Sequence, residues 1–237
     1  MKSLLLALQF MTRLPLPVVA ANERDFACAI RWMPLAGVPV GLVVAGTALL
    51  GAIRDPALGA ALGVAAWVAI TGALHLDGLG DIADAVGARH ADPARFSAVL
   101  ADPHIGSFGV VAIVLQLLLK FILFDLALQQ GAAWGIVLVA VLARLGPLAW
   151  ARLLPPLHVG YGTLFRQGAN WTVFLLWLAF WVCGAALLAP TLLIAVPILP
   201  LWALWLKWRV GGISGDGHGA GIEVAEVAGL LALAIAS

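Results

Sequence analysis

Seven apolar runs, most of them close to 20 residues long, decide what this chain can fold into. They extend from about Arg31 to Ile53, Ala57 to His75, Gly106 to Leu128, Ala132 to Leu154, Trp171 to Ala189, Thr191 to Trp208 and, more briefly, Glu223 to Ala236. A helix of about 20 residues rises far enough, at about 1.5 Å per residue, to cross a hydrocarbon core of about 30 Å. The runs are unbroken and rich in Leu, Ala, Val and Trp, whereas the strands of a transmembrane barrel would alternate apolar and polar residues. Charged residues make up 11% of the chain, under half the roughly 25% of an ordinary soluble domain. The expected fold class is therefore all-α, a polytopic integral membrane helical bundle of about seven transmembrane helices whose main partner is the lipid bilayer. The fifth and sixth runs meet at Pro190 and predict a tight antiparallel hairpin. No internal repeat interrupts residues 1–237, which read as one domain. A formal charge of +1 argues against a nucleic-acid partner, and Cys28 and Cys183 suggest neither a disulfide framework nor a thiolate metal site.

The first residues imitate a signal peptide, with Lys2 ahead of an apolar stretch from Ser3 to Met11. Arg13, Pro15 and Pro17 separate that stretch from the cleavage-like Val18-Val19-Ala20, so an interfacial or re-entrant segment is the better expectation. Cations near span ends are retained on the cytoplasmic side. With the N-terminus inside, Lys2, Arg13, Arg24, Arg31, Arg89, Arg95, Arg152, Arg166, Lys207 and Arg209 fall inside and only Arg54 falls outside. Lys120 and Arg144 lie within runs. The loops around 76–105, 155–170 and 209–222 then share the cytoplasmic face, where any chemistry is expected.

Seven of nine aspartates follow the second run, and five of these lie between Asp77 and Asp102. In His75-Leu-Asp77-Gly-Leu-Gly-Asp81-Ile-Ala-Asp84 the carboxylates are spaced i, i+4 and i+7, which on a helix places them within an arc of about 60°. Anions so close call for a divalent cation or strong solvation, and hard oxygen donors suit Mg²⁺ or Mn²⁺ better than zinc. Gly78 and Gly80 leave room for a phosphate or a backbone beside them. The plainer alternative is a helix cap with a solvated polar face. A second segment, Asp102-Pro-His104-Ile-Gly106-Ser107-Phe-Gly109, opens the third run, where free backbone N–H groups attract anions. Asp102 there is either a fourth metal ligand or a cap.

The third segment is Gly211-Gly-Ile-Ser214-Gly-Asp216-Gly-His218-Gly-Ala-Gly221-Ile-Glu223-Val-Ala-Glu226, a loop able to fold around a ligand. Glu223 and Glu226 share one face of the last run. Arg144 lies about 12 Å along its helix from Arg152, too deep to snorkel easily, and reads as reaching a substrate phosphate or an aspartate, with an ion pair as the alternative. Lys120 and Asp125, five residues apart, do not face one another and carry no assigned role. His90 and His158 read as ordinary loop histidines, and tryptophans such as Trp32, Trp171 and Trp208 as interfacial anchors.

These segments, with Phe10-Met-Thr-Arg13-Leu-Pro15-Leu-Pro17, resemble the signature segments of the cobalamin synthase (adenosylcobinamide-GDP ribazoletransferase) family. Four ordered matches spread along most of the chain make the resemblance specific, with Ser214 in place of a commoner threonine and Pro103-His104 in place of a small-basic pair. The resemblance implies a bacterial inner-membrane enzyme that joins adenosylcobinamide-GDP to α-ribazole or its 5′-phosphate, releases GMP and requires Mg²⁺. It implies Asp77, Asp81, Asp84 and Asp102 as metal ligands. His75 joins the first three as a catalytic candidate, Arg144 becomes a phosphate clamp, and Ser214, Asp216 and Glu223 complete the pocket. Self-association is left open. The competing classes are a CDP-alcohol phosphotransferase, against which Ile82-Ala83 stands where an arginine is expected, and a secondary transporter with Arg144, Lys120 and Asp125 as a relay.

Overall fold

A computed structural model describes residues 2–91, 95–100, 102–158 and 161–235. Asp92, one of the clustered aspartates, and Ala236, the expected end of the last run, lie outside the described residues, as do the side chains of Arg89, His90 and Arg95. Every regular element among the described residues is helical. Helix α1 (Lys2–Met11) precedes α2 (Glu23–Ala29), which starts at a capping box: the Asn22 side chain accepts the Asp25 N–H while the Asp25 carboxylate accepts the Asn22 N–H. A 3₁₀ turn, Ile30–Trp32, leads without a break into α3 (Met33–Ala52). Asp55 caps α4 (Pro56–Thr71), and α5 (Leu74–Ala91) and α6 (Arg95–Leu100) follow. The chain then crosses through α7 (Ser107–Gln129) and α8 (Gly135–Leu153), passes the short α9 (Tyr161–Gly168), and returns through α10 (Trp171–Leu188). After α10 the chain turns at Pro190 into a 3₁₀ segment, Pro190–Ala195, which packs on α10, whereas α11 (Ile198–Arg209) packs on α8 and α12 (Gly215–Ala234), so the two full helices do not form the tight hairpin expected at Pro190.

Among the described residues five stretches are long and apolar enough to cross a membrane: Glu23–Ala52, Ser107–Gln129, Gly135–Leu153, Trp171–Leu188 and Pro190–Arg209. A sixth exists if α4 and α5 count as one broken span. The protein is thus a polytopic membrane bundle, with two departures from the seven runs of the sequence. The second run does not continue straight to His75. Gly72 (φ 62°) and Ala73 (φ 58°) both take the left-handed conformation, which glycine adopts freely and alanine at a cost. The two helices meet at 87°, and His75 falls on α5. The seventh run starts earlier than expected, at Gly215. With Asp216, Glu223 and Glu226 it is too acidic for a lipid-facing span, and it lies in the middle of the bundle against α5, α7 and α8.

Close approach of backbones holds the outer layer to this centre. Gly37 and Gly41, four apart on α3, meet α8 so tightly that an added Cβ would lie 2.6 Å from the Ala140 carbonyl oxygen and 2.5 Å from Val137 Cα. Small residues at this spacing let membrane helices pack where no hydrophobic driving force separates them from lipid. The tryptophans divide by depth. Trp134 and Trp208 are exposed near helix ends, whereas Trp67, Trp150 and Trp181 are buried and donate indole N–H bonds to Glu226, the Leu199 carbonyl and the Leu138 carbonyl. Those three are interhelical ties rather than interfacial anchors. Gly46, by contrast with Gly41, faces open space. Gly41→Leu should therefore destabilise the fold by about 3 kcal/mol, the upper end for overpacking, and Gly46→Leu should be near neutral, as read by thermal unfolding in detergent.

Candidate active site

At one end of the bundle the N-termini of α3, α5 and α12 meet α1, α8 and α9 around a cavity of about 230 Å³. The crossing of α5 and α12 sets its geometry. A Cβ at Gly78 would lie 2.9 Å from Asp216 Cα, so the two helices touch backbone to backbone where their carboxylates emerge. The loop before α12 is pinned to the loop after α8: Leu157 N–H donates to the Ile213 carbonyl at 3.0 Å, and Ile213 N–H to that of Pro155 at 2.9 Å. Ser214 then caps α12, accepting the Gly217 N–H at 3.1 Å while its hydroxyl donates to Asp216 at 3.2 Å.

Of the carboxylates picked out in the sequence, Asp77 and Asp216 line the cavity, and Asp81 feels the charges of Asp77, Asp216 and Asp84. Burial pushes the Asp216 carboxyl above its ordinary range. The Ser214 hydrogen bond opposes this shift, and the Asp77 charge adds to it. His158, read from the sequence as an ordinary loop residue, is near enough for Asp216 to feel its charge. Among the described residues, no Lys or Arg forms an ion pair with Asp77, Asp81 or Asp216.

Asp84 and Asp102 stand elsewhere. The Asp84 carboxylate accepts the backbone N–H of Gly106 at 2.7 Å and of Gly109 at 2.9 Å, so it occupies the positive end of α7. The anion expected at that helix N-terminus is the protein's own, and Gly106 and Gly109 admit a carboxylate rather than a phosphate. Asp102 is half exposed and pairs with His104, whose ring nitrogen is 2.7 Å away. The His104 backbone N–H and then its ring hold the Asp102 carboxyl below its usual range. Among the described residues, no three His, Cys, Asp or Glu side chains are grouped so that they alone could hold a metal ion. The four-aspartate ligand set of the sequence is thereby split.

Arg144 and Glu223 also lie away from the cavity wall, inside a buried charge cluster. Lys120 Nζ is 2.7 Å from Glu223 and 2.6 Å from Glu226, and Arg144 is 2.8 Å from Glu226. Trp67 donates to Glu226 at 3.0 Å, and Gln116 to the Glu223 carboxylate at 2.7 Å. All four charges are at most 3% exposed in their side chains and sum to zero. Arg144 is thus the ion pair of its two sequence readings. Lys120, left without a role in the sequence, is the hub of the cluster. Its five-residue distance from Asp125 hid partners more than a hundred residues away, and Asp125 instead accepts from Gln129. No relay of Arg144, Lys120 and Asp125 forms.

His75 and His218 line the cavity, buried, and among the described residues neither ring nitrogen of either has a hydrogen-bond partner. The sequence reading singled out His75 but not His218, which stood in the glycine-rich segment without a role.

The profile of the cobalamin-5-phosphate synthase family matches residues 3–234. The chain belongs to that family. It is 49% identical over 240 residues to the adenosylcobinamide-GDP ribazoletransferase of Novosphingobium aromaticivorans, covering 99% of this chain and 97% of the relative. The enzyme of the same name from Thiobacillus denitrificans is 48% identical over 98% of this chain and 94% of its own. That of Laribacter hongkongensis is 47% identical over 99% and 97%. No solved structure matches the chain. In this member of the family three of the four segments that carried the resemblance converge: Phe10 and Met11, His75 and Asp77, and Asp216 and His218 all line the cavity.

Breaking a buried ion pair from one side strands a charge, at a cost of about 3–5 kcal/mol. Lys120→Met should lose about that much stability in a detergent unfolding titration, and Lys120→Met with Glu223→Gln, which restores neutrality, should recover at least half.

Proposed function

We infer that this protein is an adenosylcobinamide-GDP ribazoletransferase, a membrane-embedded transferase that completes the nucleotide loop of cobalamin. The observation that carries the site assignment is the meeting of Asp77 from α5 with Asp216 from α12 at one cavity, with Asp81 close enough to feel both charges and no Lys or Arg ion pair to any of the three among the described residues. In the reaction a ribose hydroxyl of α-ribazole, or of its 5′-phosphate, attacks the phosphorus attached to cobinamide. The new O–P bond forms as the bond to GMP breaks, GMP leaves with the bonding electron pair, and the hydroxyl proton passes to a carboxylate of the site.

Mg²⁺ fits this donor set. The oxygens are hard, they repel one another, and Mg²⁺ is commonly held by one or two carboxylates with substrate phosphates and water completing its shell rather than by an all-protein cage. The absence of a three-residue chelate among the described residues agrees with that mode. One or two of Asp77, Asp81 and Asp216 would hold it together with substrate phosphate and water, and when bound it would neutralise the diphosphate. A carboxylate of this group also orients the attacking hydroxyl, and His75, two residues before Asp77, borders the same space. The cytoplasmic face is supported by the cation count, since the loops that frame the cavity carry the inward Lys and Arg.

The test is GMP release by purified protein given adenosylcobinamide-GDP and α-ribazole, with Mg²⁺ or with EDTA. Asp77→Asn and Asp81→Asn should each lower turnover by at least about 10²-fold, the scale of losing one electrostatic stabiliser, with unchanged thermal unfolding. Asp102→Asn should stay within about twofold of the parent because its partner is His104, not the cavity. Full activity in EDTA, or in Asp81→Asn, would overturn the assignment.

A further inference from the structure

We propose that the cavity beneath the carboxylates is the seat of the acceptor's aromatic base, and that His218 donates the hydrogen bond that holds it. The proposal rests on the ribazoletransferase reading and adds a subsite to it.

The cavity joins two opposite characters. Its mouth carries Asp77 and Asp216, while its walls include Phe10, Met11, Met33 and Phe165. His218 is 4% exposed, its ring edge-on to Phe165 at 5.9 Å and tilted over Trp150 at 6.2 Å. Both of its ring nitrogens, and both of those of His75, are buried without a partner among the described residues. An unsatisfied buried donor or acceptor costs about 1–3 kcal/mol, so two such imidazoles facing one cavity point to a ligand that completes them.

Charge and size narrow the class of that ligand. A phosphate would need cations, and the buried cations Lys120 and Arg144 are already balanced by Glu223 and Glu226. A phosphate would also have to pass the carboxylates at the mouth. At about 230 Å³ the space is too small for a corrinoid. Guanine would bring several donors and acceptors against thioether and phenyl walls, each costly to bury unpaired. A benzimidazole nucleoside offers a flat apolar bicycle with a single free ring-nitrogen acceptor, which matches one imidazole N–H. Seated base-inward, it would hold its ribose toward Asp77 and Asp216, where the phosphorus of the other substrate is attacked.

Equilibrium binding of α-ribazole to the full-length protein in detergent, in EDTA and without the second substrate, tests this. Saturable binding is expected, with benzimidazole competing and GMP not competing. His218→Leu, and separately Met33→Trp, which fills the cavity, should each weaken binding on the order of tenfold, the loss of one buried hydrogen bond or of the space itself. In turnover, each variant should raise KM for α-ribazole by a similar factor and leave KM for adenosylcobinamide-GDP within about twofold. Competition by GMP, or a change confined to KM for adenosylcobinamide-GDP, would overturn the assignment, as would unaltered ribazole binding in folded variants. If neither variant folds, the competition on the parent protein decides the matter. Benzimidazole binding without any GMP release would sink the activity and leave the aromatic seat standing, so the two failures are distinguishable.

Discussion

Glu226 is where the bundle is tied together. It accepts from Lys120 on α7, Arg144 on α8 and Trp67 on α4, so one carboxylate on α12 fixes the positions of three other helices. Nothing in lipid would satisfy these groups, so each must find the others, and a one-residue slip of α12 would turn Glu226 by about 100° away from all three. Setting that register also places Asp216 and His218, about 15 Å and 12 Å nearer the start of the same helix, at the cavity. The cluster never touches the cavity wall through Glu223 or Glu226, yet it decides which residues of α12 do.

A second constraint acts on α5. The left-handed pair at Gly72 and Ala73 swings the helix through 87°, so the acidic face of α5 runs across the bundle end instead of along a span. Along that face the three aspartates experience different fields. Asp84 meets two backbone N–H groups at the start of α7 and is committed to structure, while Asp77 and Asp81 remain beside Asp216. The separation is electrostatic in origin: a helix N-terminus neutralises one anion internally, which leaves the other carboxylates as the part of the ladder still lacking a counter-charge.

Much of this was legible in the sequence because period and spacing are local properties. The helical class, the break at Pro190 and the common face of Asp77 and Asp81 follow from residues within about two turns of each other, and the signature segments carried the family. What escaped depended on distant partners. Lys120 looked unpaired because both its glutamates lie over a hundred residues on, and Arg144 gave no sign that it meets Glu226 rather than a phosphate. Asp84 belongs to a regular i, i+7 pattern, and only the docking of α7 against α5 distinguishes it from its neighbours. Gly106 and Gly109 were read as making room for an anion, which they do, but the anion comes from 22 residues away in the same chain. His218 could have been found by asking which polar residue of a glycine-rich segment would be buried once Asp216 faces outward, since the two are two positions apart on a helix and point in different directions.

The depth of the site is matched to the sizes of what it must join. A corrinoid cannot enter a helical bundle of this size, so on the proposed site assignment its diphosphate is met at the bundle end, where Asp77, Asp81 and Asp216 emerge. A nucleoside can reach further in, and the apolar cavity below those carboxylates offers the smaller partner a position that the larger one cannot occupy. Discrimination between the two substrates then needs no separate recognition domain. The anionic mouth turns phosphates back unless a cation accompanies them, and the neutral interior takes an aromatic ring but not a charged one. In the proposed arrangement, with the base held from below and the diphosphate arriving from above, the hydroxyl and the phosphorus would be brought together without either substrate crossing the other's path, which is the positioning that phosphoryl transfer most requires of a protein.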